Sequence, residues 1–201
     1  MRTLKNDMNY ENEVLSGIKA LCQKVSNATF EQCQFLDCDF SESEFIECRF
    51  IDCEFRDSNL NVTKLTGSRF FESQFKDCKV TGINWTSLDW TGITVSAPMA
   101  FESCDLSFSV FNSLHLPGLT IKNCKAWNVD FESCDLTHSE FTNTDLQDAR
   151  FNGTKLDKSD FDGSVNYYID PMSNSIRHAN FSFPEVINLL KAFDIKITGS
   201  D

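Results

Sequence analysis

No stretch of about eighteen consecutive apolar residues occurs in this 201-residue chain, and Met1-Arg2-Thr3-Leu4-Lys5-Asn6-Asp7 holds no apolar core. A membrane span and a secretory signal are therefore not expected, and the reading is cytoplasmic. Positive charge is also scarce, with 18 Lys and Arg against 30 Asp and Glu and a formal net charge of −12. A surface of that sign repels phosphate, so direct nucleic-acid binding is not expected. The sequence has no G-x-S-x-G, P-loop, dinucleotide fingerprint or H-E-x-x-H. His115, His138 and His178 have no nucleophile motif beside them. No enzyme activity and no cofactor are expected. Tyrosine and tryptophan are few, at 3 each, whereas phenylalanine reaches 19. With 41% hydrophobic and 24% charged residues the chain has an ordinary globular composition. Its 9 cysteines are an odd number in a compartment expected to be reducing, so they read as free thiols.

The phenylalanines recur every five residues. Phe30, Phe35, Phe40, Phe45, Phe50 and Phe55 are followed in register by Leu60, Leu65, Phe70 and Phe75. After Val80, Trp85, Trp90 and Val95 the register slips by one and resumes at Phe101, running through Phe111, Phe131, Phe141 and Phe151 to Phe161. Two residues before each centre the side chain is usually small, and every cysteine but Cys22 falls there. Neither regular element accommodates such a period. A five-residue step rotates about 140° on a helix and changes face on a strand, so the apolar position would be scattered. The chain must turn once per quintet, hiding one large and one small side chain in a narrow tube and showing three residues to water. The spacing C-x4-C at Cys33/Cys38 and Cys48/Cys53 is therefore a packing pattern; those thiols point inward from different sides and do not converge on a metal.

Units such as Cys48-Arg49-Phe50-Ile51-Asp52 and Ala149-Arg150-Phe151-Asn152-Gly153 resemble those of the pentapeptide-repeat proteins. The resemblance implies an all-β fold, a right-handed quadrilateral β-helix with four quintets per coil. Residues 25–165 form its regular part, with about seven coils at about 4.8 Å each. Residues 1–24 are expected to form an N-terminal cap or an irregular first coil.

Between Cys78 and Val129 several small positions are enlarged, as at Ile83, Leu88 and Leu119, so packing there should differ. The slip falls in Ser96-Ala97-Pro98-Met99-Ala100, where Pro98 cannot donate to a ladder, and a bulge or short loop carrying Pro98 and Met99 is expected. Residues 166–201 form a C-terminal segment. One more unit appears at Ala179-Asn180-Phe181. Ser182-Phe183-Pro184-Glu185 then reads as a capping box before a short amphipathic α-helix, and Ile195-Lys196-Ile197 as a short strand. So short a helix must bury its apolar side, either as a cap over the open coil or against a second copy. Pairing through this end, by Phe183, Val186, Ile187, Leu190 and Phe193, is what the resemblance favours.

Acids concentrate between Glu31 and Asp57, where only Arg49 and Arg56 oppose them. With twenty residues per coil, Asp37, Asp57 and Asp77 form one column and Asp52 and Glu72 another. Solubility alone accounts for such acids. They also give a rod of the same sign as duplex DNA, though with a sparser charge. By resemblance to the Qnr-type quinolone-resistance proteins and the microcin and albicidin immunity proteins, the implied partner is DNA gyrase or topoisomerase IV, protected from poisons by a DNA mimic. Two alternatives are an acidic interaction scaffold with another basic partner, and an enzyme whose site lies in the irregular middle.

Overall fold

The computed structural model describes residues 3–92, 99–196 and 198. The fold is a right-handed quadrilateral β-helix of about eight turns, with one short C-terminal helix. Each quintet gives either a strand of two to four residues or a single bridge residue, as at Asp39, Asn59 and Lys79, and then a corner. The corner residue, two places after the centre, has left-handed backbone, as at Gln32, Asp37, Glu42, Glu47 and Asp52, with φ between 50° and 57°. That single conformation turns the chain without interrupting the ladder. Asn, Asp and Gly tolerate it best, whereas Glu, Val and Phe have no such preference.

Strands Asn9–Glu11, Thr29–Glu31, Arg49–Ile51 and Arg69–Phe71 stack in parallel on one face, with Tyr10, Phe30, Phe50 and Phe70 in register. The next face carries Leu15, Phe35, Phe55, Phe75, Phe101 and Ile121. Within a column the rings lie almost parallel: Phe30–Phe50 and Phe50–Phe70 have centroids 5.0 and 4.5 Å apart at 8°. Between columns they meet edge to face, as Phe35 and Phe40 do at 79°. Both are favoured aromatic geometries. The centres expected inside, Phe30, Phe35, Phe40, Phe45, Phe50, Phe55, Phe131, Phe141, Phe151 and Phe161, are all buried.

The small inward position has a role beyond size. Its hydroxyl or thiol donates to the carbonyl of the preceding quintet's centre on the coil below, twenty-three residues back, as Thr63 Oγ1 does to Phe40 O at 2.9 Å and Ser68 Oγ to Phe45 O at 2.9 Å. Cys38 Sγ makes the same bond to Leu15 O at 3.2 Å. Eight cysteines are buried and Cys22 is exposed. Burial pushes the Cys53 and Cys134 thiols up to about 12, so they stay protonated. No cluster suited to a metal ion occurs among the described residues.

Residues 3–24 make a genuine coil. Tyr10, Leu15, Ile18 and Ala20 are buried, Leu4 is buried with them, and Tyr10 Oη accepts from Lys5 N at 2.9 Å. The coil at the other end is completed by Asn180–Phe181, where Phe181 stacks on Phe161 at 4.9 Å.

Three expectations need correction. Phe75 pairs with Phe101, twenty-six residues on instead of twenty, so six residues are inserted between Trp90 and Phe101 where a one-residue slip was expected. Met99 is not in a loop; it opens strand Met99–Glu102 with its side chain buried opposite Ser73. Pro98 lies outside the described residues, as do Ser96 and Ala97. The C-terminal helix, Glu185–Phe193, is a 3-10 helix and not an α-helix. Its capping box does not form, because Ser182 Oγ accepts from Gly163 N at 2.8 Å, fastening the chain to the coil, and Pro184 takes the cap position. Ile195 and Lys196 are not in a strand, and Ile197 is not among the described residues.

Phe50, sandwiched between Phe30 and Phe70, tests the core. Phe50→Ala should lower unfolding free energy by about 3–5 kcal/mol in a chemical denaturation series, in the range of buried phenylalanine truncations. A loss below about 1 kcal/mol would show that the stacked column contributes little.

Candidate protein-interaction surface

With core positions fixed inward, chemistry is left to the outward residues, and the corners project furthest. Backbone bonds set their register: Asp37 N donates to Arg56 O and Asp57 N to Lys76 O, both at 3.1 Å, and Asp77 N to Glu102 O at 3.0 Å. Asp37, Asp57 and Asp77 therefore stack on one corner, and Asp52 and Glu72 on the preceding one. All five are exposed and left-handed. An Asp there suits the backbone; Glu72 does not, so its charge has no conformational explanation.

Periodicity alone hid a further feature. Asp37, Glu42, Glu47 and Asp52 are consecutive corners, so one coil is ringed by acid on all four edges. Four charges over one rise of about 4.8 Å correspond to about one per 1.2 Å, at least as dense as the one per about 1.7 Å of duplex DNA. This overturns the expectation of a sparser charge for that coil. The ring is not unopposed. Arg56 pairs with Glu54 at 2.5 Å, and its charge is held first by Glu54 and then by Asp57 and Asp77. Beside the second column lies a polar trough of about 410 Å³ lined by Gln32, Gln34, Asp52, Glu54, Glu72 and Gln74.

A second cleft, of about 330 Å³, lies on the flat face beside the insertion, where Ile51 and Phe71 sit next to Arg49, Arg69 and Gly92. The chain entering the insertion is pinned by Asp89, whose carboxylate accepts from Thr91 N and Oγ1 and from Arg69 Nε at 2.9 Å. These donors, Thr91 first, bring the Asp89 carboxyl down to about 2. A depressed carboxyl stabilises the fold fully above its ordinary value near 4, and the contribution disappears as pH falls through about 2. Asp89→Asn should therefore lower the melting temperature near neutral pH, with the difference from the parent shrinking between about pH 4 and pH 2. A pH-independent difference would mean that the contribution of Asp89 is not ionic.

The histidines do not assemble a catalytic group. All three are exposed, and His115 only approaches Asp135, at 3.4 Å.

At the C-terminal end Leu189 packs on the core, so the helix covers the last coil. Val186 and Ile187 are half-buried. Phe183, Leu190 and Phe193 remain 81%, 40% and 48% exposed, so apolar surface is left facing outward. No described helix is long and apolar enough to cross a membrane.

Compared with known proteins, residues 28–97 and 98–166 match the family model described as pentapeptide repeat region, more than half of the chain. No match was found among curated proteins. Trypsin-treated QnrB1, a plasmid-mediated fluoroquinolone resistance protein, superposes with a TM-score of 0.54 at 15% identity over 96% of this chain and 99% of that one. HetL, a pentapeptide repeat protein involved in heterocyst differentiation regulation in the cyanobacterium Nostoc, superposes at 0.55 with 12% identity over 87% and 85%. At such identities the likeness is one of fold.

Proposed function

The chain belongs to the pentapeptide-repeat family, and from that premise we propose that it is a non-enzymatic binding protein that engages DNA gyrase or topoisomerase IV as a DNA mimic and relieves inhibition by quinolones or gyrase-poisoning toxins. The observation that carries this reading is the acid ring at Asp37, Glu42, Glu47 and Asp52 on a stiff rod, continued by Asp57, Glu72 and Asp77. A groove built to hold duplex phosphates attracts such a surface by the same long-range force. The likeness of fold to QnrB1 is consistent with it, and the equal likeness to HetL keeps an acidic scaffold with another partner as the alternative. Binding of this kind needs no cofactor, and it takes place in the cytoplasm.

A supercoiling assay with purified gyrase and a fluoroquinolone, with and without this protein, tests the reading. Protection is expected, and absence of any gyrase binding rejects it. Reversing Asp37, Asp57 and Asp77 together to Lys should leave the fold intact and weaken binding, most at low salt, where screening is least.

The same reading includes a homodimer through the C-terminal end, supported by the outward Phe183, Leu190 and Phe193. Phe193→Glu is expected to lower the sedimenting mass of that dimer toward the monomer; an unchanged mass would remove this contact.

A further inference from the structure

The corner that bears Glu42 changes character along the rod. Successive coils place Val62, Gly82, Phe108 and Asn128 there, as the backbone bonds Val62 N to Thr81 O, Gly82 N to Ser107 O and Phe108 N to Trp127 O establish. Val62 and Phe108 are 55% and 63% exposed and both are left-handed, at φ 56° and 63°. A β-branched or bulky residue seldom adopts that conformation, and neither side chain serves the core. The residues flanking this corner are uncharged on one side, Asn61, Thr81 and Ser107, and on the other Asn84 and Val110 are uncharged too. In a chain of net charge −12, an apolar strip bordered by Asn61 and Thr81, with Ser107 buried beneath, has the make-up of an interface core, where charge is depleted and aromatics are enriched.

We propose that this corner is a self-association surface on which two copies of the chain lie side by side and antiparallel. The shape is self-complementary. Gly82 leaves a notch whose near wall is Val62 Cγ2, 3.6 Å from where a Cβ would stand. Phe108 projects from the next coil, one rise of about 4.8 Å away. A two-fold axis across the rod between these coils sets the Phe108 of each copy opposite the Gly82 notch of the other. A parallel arrangement would set Phe108 on Phe108 and notch on notch.

Charge follows the same register. The antiparallel axis brings Lys64 opposite Asp130 and Glu44 opposite Arg150. Within one copy Lys64 already pairs with Glu44 at 2.7 Å, and Arg150 with Asp130 at 2.5 Å, so the two pairs meet as an alternating group of four charges. On the adjoining face Lys79 comes opposite Asp105. The like-charged juxtapositions, Glu42 with Asp148 and Asp39 with Asp145, fall at the outer ends of the strip. A corner contact is narrow, so weak association in the range between about 1 µM and about 1 mM is expected.

Cysteine cross-linking separates this contact from any other. In a Cys22→Ser background, Val62→Cys and Asn128→Cys are three coils apart in one chain, about 14 Å, beyond the reach of an internal disulfide. Across the proposed axis they face each other. Mild oxidation of a mixture of the two variants should give a covalent dimer, while Val62→Cys alone gives none. Adding Phe108→Glu to both partners should reduce that dimer at least tenfold, with circular dichroism unchanged because Phe108 is outside the core. Adding Phe193→Glu should leave it intact, which separates this surface from the C-terminal contact, and gyrase protection need not change with either. No cross-link in the mixture, self-cross-linking of Val62→Cys, or dependence on Phe193 in place of Phe108 would each overturn the proposal.

Discussion

Everything in this molecule depends on one backbone requirement: a parallel ladder that returns to its own register every twenty residues needs a corner every five. The left-handed residue two places after almost every centre supplies it, Trp85 excepted, where Trp85–Ser87 turns as a short 3-10 helix, and that conformation costs something for any residue with a Cβ. The cost is tolerated because the strands on either side, bonded to the coils above and below, hold the corner in place. Once the corners are set, two side chains of each quintet point into a tube too narrow for two large ones. The smaller one is Ser, Thr or Cys so often because its hydroxyl or thiol donates to the carbonyl of the preceding quintet's centre on the coil below, as Thr63 does to Phe40. Volume alone would admit alanine there; the hydrogen bond is what distinguishes a hydroxyl or thiol from a methyl group.

The periodicity made the architecture legible in the sequence, because five is incompatible with both common elements and the Phe grid marks the inward positions directly. The same grid also misled. Val95 looks like the centre of an ordinary unit, so a six-residue insertion read as a slip of one; the pairing of Phe75 with Phe101 reveals its length. The C-terminal segment went partly astray for a local reason. Ser182 and Glu185 have capping-box spacing, but the Ser182 hydroxyl is taken by Gly163 on the preceding coil, a contact between residues that no short-range pattern connects. Of the candidate surface, the two acid columns followed from the twenty-residue repeat. The ring did not, since periodicity separates inward from outward without saying which outward residue is the corner.

Because the corner residue has no part in the core, it is where the chain can vary its surface without altering its fold. One corner column runs from exposed Cys22 through Glu42 to Val62, Gly82 and Phe108, passing from charged to apolar within three coils, while the ladder beneath it is unchanged. The acid ring, the apolar strip and the C-terminal helix thus occupy successive lengths of one rod.

The acid ring itself has a structural counterpart inside. Two members of the ring are also stacked on acids of the next coil, Asp37 on Asp57 and Asp52 on Glu72, one rise of about 4.8 Å along the rod, and like charges so placed repel, less with salt. Such a coil is stable only if its interior gains more than the surface loses. The ringed coil is the one whose four faces are centred on Phe35, Phe40, Phe45 and Phe50, all buried and in mutual stacked or edge contact with their neighbours. Further along, where corners become Ser113, Gly118, Asn123 and Asn128, the four centres are Phe111, Leu116, Ile121 and Ala126, with one aromatic ring in place of four. The most repulsive surface and the most aromatic core coincide, as they must if one is to be held against the other.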